Sequence, residues 1–197
     1  MIDTLLPLLG FVIVGTTTPG PNNLMVLISG ANWGLRPTIP HILGIATGFP
    51  VMIVAVGLGL GLAFQAFPTL HDLLKYLAFA YLCWLAWKIA MAGRPEAKGR
   101  SGRPMSFLEA AAFQWVNPKA WLICAGAVGS FLQADAPSAL PQAALFAAIF
   151  VVAGIPCMMV WLGFGAAMQR VLKSDRAFRN FYIFMGVLLA ATIVVLI

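Results

Sequence analysis

An apolar run from Leu5 to Ser29 is long enough to cross a bilayer, yet near its middle stands Thr16-Thr17-Thr18-Pro19-Gly20-Pro21-Asn22-Asn23. Two prolines and a glycine cannot continue a hydrogen-bonded helix, because proline lacks the amide hydrogen and clashes with the preceding turn. In hydrocarbon each freed backbone group costs several kcal/mol, so such a break persists only where protein buries it or where it lines a wet cavity. One proline would mean a kink. Three helix breakers followed by two asparagines point to a substrate site.

The composition makes the run a membrane segment. Of 197 residues, 61% are apolar and 9% charged, with a mean hydropathy of +0.94; a soluble domain carries about 25% charge. Cys83, Cys124 and Cys157 all fall in apolar segments and form neither a disulfide nor a metal framework. The net charge of +6 reads as topology, not as a nucleic-acid footprint. The start, Met1-Ile2-Asp3, lacks the basic region of a signal peptide, so the first run is expected to stay as a helix.

At about 20 apolar residues per crossing, the chain divides into six segments: Leu5–Ser29, Thr38–Phe67, Leu70–Ala92, Ser106–Gln133, Ser138–Met168 and Ala177–Ile197. The expected fold is an all-α integral membrane protein. Basic residues mark cytoplasmic loops. Arg36 lies in the first connection, Arg94, Lys98, Arg100 and Arg103 in the third, and Arg170, Lys173, Arg176 and Arg179 in the fifth. In a six-crossing plan all of these share one side, which sets both termini on the periplasmic side.

The plan divides into residues 1–92, a basic loop over 93–105 and residues 106–197. Gly48-Phe49-Pro50-Val51-Met52 and Gly154-Ile155-Pro156-Cys157-Met158 match in glycine, proline and methionine at one offset. The fourth segment is also broken near its middle, at Trp115-Val116-Asn117-Pro118-Lys119. Three crossings per half invert the second half relative to the first, so this is an inverted repeat with helices 1 and 4 broken. Breaks at corresponding places in two such halves point to a transporter's binding site.

Gly20-Pro21 and Asn117-Pro118 each read as a cap followed by proline at the first helical position. Two half-helices then start at the midplane and face each other with their positive ends. Lys119 adds a full charge, at a cost of about 2.5–3.5 kcal/mol for a lysine at the bilayer centre. An anion such as a carboxylate fits there; the bland alternative is a lysine that caps carbonyls of the broken helix. The ends of the preceding half-helices, with the oxygens of Thr17, Thr18, Asn22, Asn23 and Gln114, are expected to take an ammonium. Pro19, Gly20, Pro21, Asn117 and Pro118 complete the candidate site. No Asp or Glu lies at the midplane, since Glu109 is near the edge of its segment, so the expected substrate is a neutral amino acid. Gly44 and Gly48 read as helix-packing positions, and Pro50, Gly154 and Pro156 as hinges. Glycine-rich faces serve packing within one chain or between copies in a homo-oligomer. His41 and His71 lie near opposite surfaces, where a solvated role is expected.

These residues resemble the lysine exporter/RhtB family of bacterial amino-acid exporters. The resemblance rests on Thr18-Pro19-Gly20-Pro21-Asn22-Asn23, Gly44-Ile45-Ala46-Thr47-Gly48, Ala80-Tyr81-Leu82-Cys83-Trp84-Leu85-Ala86-Trp87-Lys88 and Asn117-Pro118-Lys119, and it covers essentially the whole chain. The wording is most similar to the branch that exports cysteine, O-acetylserine and similar small neutral amino acids. The resemblance implies efflux across the bacterial inner membrane, driven by the proton gradient and without a cofactor. It also implies an acidic or amide residue in the fifth segment, which this chain lacks. Lys119 and Glu109 are then the candidates for proton coupling.

A channel needs a continuous polar lining, whereas the polar residues here cluster at one depth. Export of another small solute or ion is the other alternative. An intramembrane enzyme or metal-ion exporter needs placed nucleophiles, carboxylates or histidine ligands that the sequence does not supply.

Overall fold

The computed structural model describes residues 2–60, 68–92, 103–132 and 139–196, and these form helices without strands. In chain order they are α1 (Ile2–Thr17), α2 (Pro21–Trp33), α3 (Leu35–Ala55), α4 (Pro68–Ala90), α5 (Phe107–Phe113), α6 (Pro118–Phe131), α7 (Ala139–Val171) and α8 (Asp175–Leu196). A π turn over Val56–Leu60 follows α3, and a 3-10 turn over Gln114–Val116 joins α5 towards α6.

Both expected breaks are present. The first apolar run is two helices, α1 and α2, separated by Thr18–Gly20. The fourth is α5 and α6, separated by the 3-10 turn and Asn117. Leu35–Gly59 and Ala139–Val171 are, among the described residues, the two helices long and apolar enough to cross a membrane unbroken. The expected basic residues Arg94, Lys98 and Arg100, and the connections over 61–67 and 133–138, lie outside the described residues.

Several boundaries differ from the sequence expectation. The first helix run does not end at Ser29: α2 continues to Trp33, and Gly34 alone separates it from α3. Gly34 has φ 81°, a left-handed conformation that glycine adopts without strain. The second segment leaves regular α geometry after Ala55, and Gly59 at φ 115° marks the distortion. The last helix starts at Asp175 rather than Ala177, with Ser174 Oγ accepting from the Ala177 amide at 3.2 Å, as an N-cap does.

α7 is the central element. It packs against α1, α2 and α3, while α3 also packs on α5, and α4 packs on α8. Small residues set these crossings. A Cβ at Gly30 would lie 2.7 Å from the Leu162 carbonyl oxygen, and one at Gly48 2.6 Å from that of Ala111. A Cβ at Gly44 would meet the Phe107 carbonyl, and one at Gly165 the Leu27 carbonyl. Around the site the core forms two apolar layers. One contains Leu8, Val12, Phe49, Met52, Phe146 and Phe150, and the other Val26, Ile42, Ile45, Ala110, Met158 and Leu162.

Gly165 and Gly163 give a paired test of this packing. Gly165→Ala pushes a methyl into the α2 backbone and should lower stability by about 1–3 kcal/mol, as overpacking does. A Cβ at Gly163 meets nothing within 4 Å, so Gly163→Ala should leave the melting temperature in detergent unchanged or raised. Equal melting temperatures for the two variants would contradict the close α2–α7 crossing.

Candidate functional site

The two breaks meet. Pro21 and Pro118 occupy first helical positions of α2 and α6, with Gly20 and Asn117 as the caps. Asn117 Oδ1 accepts from the Lys119 amide at 3.1 Å, which fixes the start of α6. Gly20 is extended (φ 179°, ψ 175°), so conformation does not demand a glycine there. A Cβ would lie 2.5 Å from Lys119 Cδ, so a larger residue there would displace the lysine side chain.

Lys119 joins the second break to the first. Its Nζ donates to Thr18 O at 2.7 Å, Thr18 Oγ1 at 2.7 Å and Pro19 O at 3.1 Å. All three ammonium hydrogens therefore have oxygen partners, the number a lysine can donate. The carbonyls at the end of α1 are engaged too. Asn23 Nδ2 donates to Thr16 O at 2.7 Å and to Thr18 O at 2.9 Å, and Trp161 Nε1 donates to Thr17 O at 3.2 Å. The sequence led us to expect free carbonyls here; instead each accepts from a side chain of this chain. Each carbonyl oxygen keeps a second lone pair, so these bonds occupy the oxygens without exhausting them.

A second crosslink runs the other way. Asn22 Nδ2 donates to Gln114 Oε1 at 2.8 Å, and Gln114 Nε2 donates back to Asn22 Oδ1 at 3.1 Å. Gln114 is fully buried and also donates to the Ala110 carbonyl at 2.9 Å. Thus the residue after the proline in each half-helix reaches to the segment just before the other break. Thr17 Oγ1 lies 3.2 Å from Cys157 Sγ on α7.

Between the two apolar layers lies a cavity of about 60 Å³, room for roughly four waters at about 15 Å³ each. Gly20, Asn22, Asn23, Asn117 and Lys119 line it from the breaks, and Pro50 and Gly154 from α3 and α7. Phe49 and Phe150 line it from the first layer, and Ile45 and Met158 from the second. Among the described residues, no carboxylate lines it. Thr17, Thr18 and Pro19 are exposed beside it, while Gln114 and Pro118 stand behind it. Pro156 is exposed on α7.

Sequence reasoning missed the aromatic walls, Phe49 and Phe150, and the half-buried Trp121–Trp115 bond, in which Nε1 donates to O at 2.9 Å. Their only signal is a regular apolar period, which core residues share. Glu109 lies away from this cavity. It forms a capping box with Ser106 at the start of α5, and its oxygens accept from Arg103 at 2.6 and 2.7 Å. Those bonds push the pKa of the Arg103 guanidinium up. His41 is not solvated as expected; it is 1% exposed, on α3 where it faces Ser29 of α2.

The geometry is that of a membrane transporter with an internal polar site. A model of the LysE type translocator family matches residues 13–197, and the chain belongs to that family. It is therefore a transporter and not an enzyme. The chain is 32% identical over 154 residues to proteins named cysteine/O-acetylserine efflux protein from Escherichia coli strain K12 and Shigella sonnei strain Ss046, covering 78% of this chain and 73% of each relative. The Escherichia coli O1:K1 protein of the same name matches over the same extent. No solved structure matches the chain.

The amide pair tests the linkage of the breaks. Gln114→Leu leaves the Asn22 amide without its partner, a loss of about 1–3 kcal/mol for a buried polar group. The melting temperature should fall accordingly, and the double variant Asn22→Leu, Gln114→Leu should recover part of the loss. A single-variant protein as stable as wild type would contradict the pairing.

Proposed function

We propose that the chain exports small neutral amino acids, of the cysteine, O-acetylserine, threonine and homoserine kind, by alternating access at the paired helix breaks. The observation that carries this reading is the Lys119 ammonium seated on the Thr18 and Pro19 oxygens at the edge of the cavity. An amino acid can insert into that contact. Its carboxylate takes the Lys119 ammonium and the amides at the α2 and α6 N-termini. Its ammonium takes the Thr18 and Pro19 carbonyls that Lys119 releases. The internal ion–dipole contact is thereby exchanged for two, with no buried charge left unpaired. A neutral side chain fits a cavity whose lining contains no carboxylate and has aromatic walls. The printed names of the relatives point to substrates of this size.

The six-crossing, inverted-repeat plan supports alternating access. Exchanging α1–α2 with α5–α6, α3 with α7, and α4 with α8 maps the packing of α1 on α7 onto that of α5 on α3, and leaves α3–α7 and α4–α8 as self-pairs. The crosswise bonds Asn22–Gln114 and Lys119–Thr18 follow the same exchange. Exposed Arg36, Arg170, Lys173 and Arg176 gather at one end, where Gly34 abuts Gln169. We take that end as cytoplasmic, with both termini periplasmic and the inner membrane as the site of action. The proton gradient supplies the driving force. A channel would need a continuous polar path, whereas apolar layers bound this cavity on both sides.

Counterflow in proteoliposomes tests the site. Reconstituted wild type should exchange labelled cysteine for internal serine or cysteine, and not for lysine. Lys119→Ala should slow exchange by at least about tenfold, since a hydrogen bond to a charged group contributes about 1.5–3 kcal/mol. Exchange at the wild-type rate in Lys119→Ala would reduce the residue to a cap. Lysine exchange at rates matching cysteine would overturn the neutral specificity.

A further inference from the structure

We propose that His41 is the proton-binding group of the transport cycle and that its charging opens the apolar layer on the basic side of the cavity; this rests on the transporter reading above. His41 is buried on α3, its Nδ1 3.3 Å from Ser29 Oγ on α2. Its Nε2 is the one buried side-chain nitrogen or oxygen without a hydrogen-bond partner among the described residues. An unsatisfied buried polar atom carries a penalty of about 1–3 kcal/mol, and nothing in the local packing offsets it.

The position fits a gate. Ile45, one turn further along α3, lines the cavity. On α2, Ser29 lies two turns beyond Asn22, about 10 Å along the helix. The pair therefore sits between the cavity and the end that carries Arg36 and Arg170. It sits at the level of Ile42 and Leu162 in the apolar layer with Val26 and Met158. Here α2 and α7 approach closely through Gly30 and Leu162.

Among the described residues, the surrounding elements supply no counter-ion. α2 has no titratable residue. α3 offers Arg36, exposed at its start. On α5, Glu109 is exposed and bonded to Arg103. α6 carries Lys119, bonded to Thr18 and Pro19, and Cys124, which packs in the opposite layer. α7 carries Cys157 beside Thr17 and Arg170, exposed in its last turn. None of these groups bonds to the imidazole.

With the Nδ1 hydrogen donated to Ser29 Oγ, Nε2 keeps its lone pair and accepts the proton. The resulting imidazolium has no anion in the closed layer, and an unpaired buried charge is far more costly than an unpaired polar group. Water must reach it, so charging and closure exclude each other. A proton taken from water on the periplasmic side thus biases the layer open, and it leaves to cytoplasmic water once the layer has opened. Only an N–H bond forms and breaks. Two states with different proton affinity are what coupling requires.

Proteoliposomes carrying wild type, His41→Gln or Ser29→Ala separate exchange from coupling, with reduced radiolabelled cysteine as the probe. In wild type a gradient of one pH unit should drive about a tenfold accumulation for one proton exchanged. His41→Gln keeps a polar side chain of similar size and should retain counterflow while losing gradient-driven accumulation. Ser29→Ala should keep counterflow and displace the pH profile of driven transport. Accumulation in His41→Gln equal to wild type, loss of counterflow together with driven transport, or an unchanged pH profile in Ser29→Ala would each overturn the assignment. A wild type that exchanges cysteine but ignores the pH gradient also overturns it. A wild type that exchanges no amino acid at all defeats the underlying transporter reading instead.

Discussion

The bond between the Lys119 ammonium and the oxygens of Thr18 and Pro19 holds the rest of the site in place. A chain that breaks two helices inside an apolar body frees carbonyls and amides that hydrocarbon cannot satisfy. Here the freed carbonyls at the end of α1 are taken by Asn23, Trp161 and Lys119, and the Asn22–Gln114 pair ties α2 to the turn before α6. The breaks are therefore paid for inside the protein, and the positive ends of α2 and α6 stay beside one small cavity. Remove the lysine and Thr18 Oγ1 and Pro19 O lose their donor at once, while Thr18 O keeps only Asn23.

That arrangement explains how a polar site can sit in so apolar a chain. The polar groups cluster between two layers of aliphatic and aromatic side chains, with Thr17, Thr18 and Pro19 exposed beside them. One layer holds Phe49, Phe146 and Phe150; the other holds Ile42, Met158 and Leu162. In the alternating-access reading proposed above, one layer separates at a time. The glycine contacts at Gly30, Gly44, Gly48 and Gly165 let helix backbones touch, so small shifts along those seams change the layers without remaking hydrogen bonds.

Much of this was legible in the sequence, because the strongest signals are local. Gly20-Pro21 and Asn117-Pro118 announce helix starts through backbone chemistry alone, and both α2 and α6 begin there. The small-residue spacing around Gly44 and Gly48 likewise predicts close packing. Partners across the fold were not legible. Nothing local says that Gln114 pairs with Asn22 rather than facing a ligand, or that Lys119 spends all three hydrogens on the first break. His41 was misplaced for the same reason: counting from the segment's edge puts it near water, but α2 packs across it and buries it. The one-residue turn at Gly34 and the π turn before Gly59 were hidden as well, since glycines in an apolar run look alike until φ is known.

The central claim is that a zwitterion replaces the internal contact between Lys119 and the first break. Equilibrium binding of labelled cysteine to the purified protein, competed by cysteamine, tests it most directly, because cysteamine keeps the thiol and ammonium and lacks only the carboxylate. The account predicts that cysteamine competes at least about tenfold more weakly than unlabelled cysteine, given about 1.5–3 kcal/mol for a hydrogen bond to a charged group. Equal competition by the two would mean that no carboxylate is held at the α2 and α6 N-termini, and would contradict the account.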